Sequence, residues 1–118
     1  MIYLCNTFNQ HMLQWMACGH TRRLNIERIS AQDAGTLLRR NAFRSFFGHS
    51  RSAYHLARYL HVSIPVCRGV LTLQENDRLL VASIQSKRAW EAGYKSCPGW
   101  RFYMITIESG KEQNENSK

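Results

Sequence analysis

Residues 48–52 of this 118-residue chain read Gly48, His49, Ser50, Arg51 and Ser52. Placed at a helix start, that run suits an anion. The opening N–H groups of a helix lack carbonyl partners and sit at the positive end of its dipole, glycine allows close approach, and hydroxyl and guanidinium groups add donors. An imidazole in such a corner can trade a proton with a phosphodiester, because histidine ordinarily ionises at about 6.5 and both forms exist near neutrality. The same residues also fit a plainer role, in which His49 and the serines simply cap the helix.

A second group of reactive side chains, Lys87, Arg88, Trp90 and Glu91, stands in a 16-residue polar and aromatic stretch between Gln85 and Trp100. Connections of that length with little periodicity are uncommon unless they are mobile or functional. Arg88 can neutralise a phosphate, and Glu91 can hold a histidine, take a hydroxyl proton or bind a ribose hydroxyl. Arg68, just past the bend at Pro65, is a further phosphate clamp. Trp90, Tyr94 and Trp100 suit either base stacking or anchoring of the stretch. No metal site is expected: His49, His55 and His61 stand six residues apart, off the i, i+3 or i+4 spacing of shared coordination, and no HExxH is present.

The elements that must position these groups follow from local pattern. Residues 1–6 read as a short buried strand running into a polar turn, residues 12–17 as a helical turn, and Leu24 to Ile29 as a second strand. Ser30 three residues before Asp33 marks a helix start, and Ala34, Leu37 and Leu38 share one face of a helix over about 31–41. The run Ala42, Phe43, Phe46 and Phe47 is a core-facing short strand or extended link into a second helix, whose Ala53, Leu56, Ala57 and Leu60 make an apolar stripe opposite Arg51, His55 and Arg58. Pro65 ends that run. Strands are expected over Val66–Leu73, Leu79–Ile84 and Phe102–Ile107, the first two joined as an antiparallel hairpin through Glu75 to Asp77. The fold class is α/β of mixed α+β character: a single small domain with a roughly five-stranded mixed sheet flanked by helices, over residues 1–107. Residues 108–118 form a polar, disordered tail.

Composition narrows the partners. Sixteen Lys plus Arg against eight Asp plus Glu give a formal charge of +8, and residues 1–107 hold 14 basic against 5 acidic groups, so an anionic partner is expected. Hydrophobic residues at 44% with only 2 Pro and 7 Gly exclude a fibrous or wholly disordered chain. Cys5, Cys18, Cys67 and Cys97 contain no CxxC pair and read as buried thiols. Without a signal peptide pattern or an 18-residue apolar run, the expected residence is cytoplasmic and the protein does not span a membrane.

The order of these segments resembles a known family, the viral and mobile-element ring nucleases that act as anti-CRISPR proteins against type III CRISPR signalling. The resemblance runs over about residues 1–107. It is carried by Leu4, Cys5, Asn6, Thr7 and Phe8 at the end of the first strand, by Gly48 and His49 with the helical stripe Ala53 to Leu60, and by Ile64, Pro65, Val66 and Arg68. Asn76, Asp77 and Leu79 to Val81, then Arg88 with Glu91, and Trp100 to Ile107 complete it.

The resemblance implies metal-independent cleavage of cyclic tetra-adenylate, with no cofactor, to linear di-adenylate ending in a 2′,3′-cyclic phosphate. His49 and Glu91 match the catalytic positions. Asn6, Asn9, Gly48, Ser50, Arg51, Arg68 and Arg88 fall on or beside the ligand-binding ones. It also implies a homodimer, one Gly-His corner per subunit, working in the cytoplasm of the host cell if a virus encodes it. No stable double-stranded nucleic acid partner is expected. Ser50 and Arg51 stand where the family usually has an acidic residue, which makes this corner more basic. The rival readings are a protein that sequesters the cyclic nucleotide without cutting it and a basic DNA-binding regulator.

Overall fold

The computed structural model describes residues 1–8, 12–13, 23–74, 76–84 and 99–108. Within them the chain runs β1 (Ile2–Cys5), β2 (Arg23–Ile29), α1 (Ala31–Arg40), β3 (Phe43–Ser45), α2 (Ser50–Leu60), β4 (Arg78–Ile84) and β5 (Trp100–Glu108). The five strands form one mixed sheet in the order β2-β5-β4-β1-β3. β1 lies parallel to both β3 and β4, with Leu4 opposite Ser45 and Leu80, whereas β5 is antiparallel to β4 and β2. This is the mixed α/β domain expected from the sequence.

Strand alternation divides the core between the two faces of the sheet. Ile2, Leu4, Leu80, Ala82 and Phe102 pack with Ala34, Leu38, Ala53, Leu56 and Leu60 on the helical face. Cys5, Leu79, Val81, Ile105 and Ile107 pack beneath Met12, Leu71 and Leu73 on the other. Each fully buried leucine of these clusters contributes roughly 2 kcal/mol. No helix among the described residues is long and apolar enough to cross a membrane.

Helix α1 begins where its cap predicts. Ser30 is extended, and its Oγ accepts from the Asp33 N–H at 3.0 Å. Asp33 in the first turn and Arg39 and Arg40 in the last complement the helix dipole. Gly35 leaves room for the Arg39 guanidinium, since a Cβ there would lie 2.8 Å from Arg39 Nη1. That same Nη1 donates to the Leu60 carbonyl and ties the end of α2 to α1. Ser30→Ala is expected to lower the unfolding free energy by about 1 kcal/mol; an unchanged urea midpoint would show that the cap contributes nothing.

Helix α2 buries Ala53, Leu56 and Leu60 as its stripe requires and ends at His61, whose φ of 58° is left-handed. The Val62 N–H returns to the Ala57 carbonyl at 3.1 Å and closes the last turn.

Two expectations are corrected. Residues 66–73 are not a strand. Val66 makes an isolated bridge to Phe47, and Leu73 donates its N–H to the Met12 carbonyl, away from the sheet. No hairpin joins them to β4, because both edges of β4 are taken, by β1 and β5. The turn at its start exists, closed by Asp77 N–H to Gln74 carbonyl at 3.1 Å and by Gln74 N–H to Asp77 Oδ2 at 2.8 Å. Met12 and Leu13 form a short 3₁₀ turn; the rest of the expected helical turn and tail residues 109–118 lie outside the described residues.

Candidate anion-binding site

Because β1, β3 and β4 run parallel, their carboxyl ends share one end of the sheet, the usual place for a ligand in sheets of this kind. Asn6 follows β1 there and is exposed. The chain leaving β3 passes through Phe46 and Phe47 to Gly48 and His49, and α2 starts at Ser50. Ile84, the last residue of β4, pairs with Trp100, so the two flanks of the 85–98 stretch also meet at this end.

The corner is held from beneath. Phe47 is fully buried, and its carbonyl accepts the Cys67 N–H at 2.9 Å. Ile64 is buried ahead of Pro65, which anchors the turn that brings Arg68 back over the corner. Arg68 then donates Nε–H to the Gly48 carbonyl at 2.8 Å. That bond fixes the guanidinium, while its two Nη groups have no protein partner among the described residues. A guanidinium so placed keeps most of its donors for a phosphate.

His49 is the N-cap residue of α2, with φ −113° and ψ 123°, yet its side chain makes no capping hydrogen bond. It is exposed, and its carbonyl accepts the first helical bond, from the Ala53 N–H at 3.0 Å. The backbone therefore caps while the imidazole does not. Ser50 and Arg51 are exposed, and the first turn contains no acidic residue. Gly48 has no positive φ, and a Cβ on it would meet Arg68 Cγ at an ordinary 3.6 Å. Its contribution is an open surface, not a special backbone conformation.

Asn6 is linked to the corner through its neighbour. The Cys5 thiol lies 3.8 Å from Asn6 Oδ1 and 3.7 Å from the Phe46 carbonyl, within range of weak S–H donation to either. The structure thus brings Gly48, His49, Ser50, Arg51 and Arg68 together, with Asn6 at the same end of the sheet. Asn9, Lys87, Arg88, Trp90, Glu91 and Tyr94 lie outside the described residues, as do Cys18 and Cys97. Cys5 is buried and Cys67 half-buried, both as free thiols.

Trp100 is a core residue, buried and 6.4 Å from the Phe47 ring centroid, which decides against a base-stacking role. Among the described residues no three His, Cys, Asp or Glu side chains are placed to share a metal ion. One basic residue at this end escaped the sequence reading: Arg101, paired with Ser83 near the end of β4. The turn of Trp100 and Phe102 toward the helices, readable from their apolar alternation, is the signal that sets it on the other face.

Comparison with known proteins adds the following. A family described as STIV B116-like matches residues 2–95. Twelve chains of solved structures match. Among them, B116 of Sulfolobus turreted icosahedral virus superposes with a TM-score of 0.67 at 16% sequence identity, covering 89% of this chain and 97% of that one. At that identity the likeness is one of fold. No curated protein matches the sequence.

Proposed function

The chain belongs to the STIV B116-like family, and on that premise we propose that it is a metal-independent ring nuclease that opens cyclic tetra-adenylate and so switches off type III CRISPR signalling in the cytoplasm. The observation that carries the proposal is the exposed His49 imidazole, released from capping, beside a guanidinium fastened to the adjoining carbonyl. An ordinary cap would use the side chain; this one leaves it available.

The chemistry is an internal transesterification that needs no water. A ribose 2′-hydroxyl attacks the adjacent phosphorus, the bond to the 5′-oxygen breaks, and a 2′,3′-cyclic phosphate remains. Protonated His49 gives its proton to the departing 5′-oxygen, and the 2′-hydroxyl proton is lost to a base. Two such cuts turn one ring into two linear di-adenylates. Arg68, the opening turn of α2, Ser50 and Arg51 would hold the reacting phosphate and its developing charge.

The family resemblance supplies the remaining roles. Arg88 binds phosphate, Glu91 orients the imidazole or a ribose hydroxyl, and Asn6 and Asn9 contact the ring. A two-fold homodimer would set one corner against each of two opposite phosphodiesters, matching the symmetry of the ring.

The test is incubation of stoichiometric protein with cyclic tetra-adenylate in excess EDTA, with products identified by mass. Linear di-adenylate bearing a cyclic phosphate is the expected result. A ring that stays intact but bound would make the protein a sequestering one, and a ring neither bound nor cut would overturn the proposal.

A further inference from the structure

Arg101 is a charged residue of this end of the sheet that no motif accounts for, and it lies beyond the family-matched residues 2–95. Its Nε is buried, yet it has no hydrogen-bond partner among the described residues. Arg101 is half-buried as a residue, but a donor atom that has lost its hydration with no bond in return calls for an explanation, often an ion or ligand.

The position of Arg101 says what that ligand is. Trp100 and Phe102 face the helices, so Arg101 projects from the opposite face of β5, beside Ser83, the residue before the end of β4. It therefore stands at the end where β1, β3 and β4 finish and α2 begins. The strand order β5-β4-β1-β3 puts three strand steps between Arg101 and the exit of β3 that leads to His49, a separation of about 14 Å. One phosphate cannot bridge that span. A ring carrying several phosphates suits it.

We propose that Arg101 is a second anion-binding point of this end of the sheet, its guanidinium taking one of the two phosphates of cyclic tetra-adenylate that do not face a His49 corner. This rests on the ring-nuclease reading above. A guanidinium matches a phosphate with two parallel donors, so lysine is not an equivalent replacement. With its Nε unpaired among the described residues, Arg101 serves binding at the expense of stability, as functional groups often do.

The test titrates cyclic tetra-adenylate into a His49→Ala parent, which holds the ring uncut, and into the same protein carrying Arg101→Met, with thermal melts of both. Arg101→Met is expected to weaken binding by about tenfold or more. The slope of log affinity against log salt should fall by about 0.7. Tm should hold or rise, because an unsatisfied buried donor has been removed. Affinity within twofold of the parent overturns the role of Arg101 and leaves the nuclease reading standing. A parent that does not bind the ring overturns that reading, and the role of Arg101 with it. A large fall in Tm marks Arg101 as structural and overturns the proposal. If Arg101→Met does not fold, Arg101→Lys is measured instead: a several-fold weakening supports the paired contact, and unchanged affinity overturns it.

Discussion

His49→Ala is expected to slow cleavage of cyclic tetra-adenylate by at least about a hundredfold, the usual scale for losing a positioned proton donor, while ring affinity changes only a few-fold. The split follows from the geometry. The donors that would grip the phosphate are Arg68, fastened to the Gly48 carbonyl, together with the opening turn of α2, Ser50 and Arg51. None of them depends on the imidazole, which makes no capping hydrogen bond. Single-turnover cleavage and equilibrium binding, measured on one preparation, separate the two effects. If affinity fell as steeply as rate, His49 would be a binding residue and the proton-donor assignment would fail.

Phe47→Ala is expected to lower the unfolding free energy by about 3–5 kcal/mol, the largest effect on stability among the changes considered. The ring is fully buried with Leu4, Leu56 and Leu80, and its centroid lies 6.4 Å from that of Trp100. Its backbone also supports the corner, through the Cys67 N–H bond and the bridge to Val66. Truncation opens a cavity directly beneath Gly48 and His49, so ring affinity should fall along with stability even at temperatures where the variant stays folded. Phe47→Leu, which retains most of the volume, should cost under about 1.5 kcal/mol and bind the ring nearly as wild type does. Equal urea midpoints for wild type and Phe47→Ala would contradict the role given to this residue.

Both helices were legible in the sequence because their signals are local. Ser30 and Asp33 mark a cap three residues apart in the chain, and the Ala53, Leu56 and Leu60 stripe recurs at the helical period. The Gly48-His49 corner was legible for the same reason, being the start of that second helix. The 66–73 segment reads as a strand because Leu71 and Leu73 alternate like one. Alternation reports only that one side is buried, and here it is buried over the sheet instead of within it.

Strand neighbours depend on which edges the rest of the chain leaves open, and no local pattern carries that. The Arg68 to Gly48 bond joins residues 20 apart, so the motif at Ile64 to Arg68 could suggest a clamp but not what it fastens to. Arg101 was missed because its meaning lies in strand order and in an unpaired buried atom, neither of which can be read along the chain.

The central claim, that His49 delivers a proton to the leaving 5′-oxygen, is tested most directly with a cyclic tetra-adenylate whose scissile 5′-oxygens are replaced by sulfur. A thiol ionises at about 8.5, so the sulfur departs without a proton donor. The account predicts that His49→Ala cuts this ring at close to the wild-type rate while remaining at least about a hundredfold slower on the natural one. A His49→Ala protein as inert toward the sulfur ring as toward the oxygen ring would contradict it.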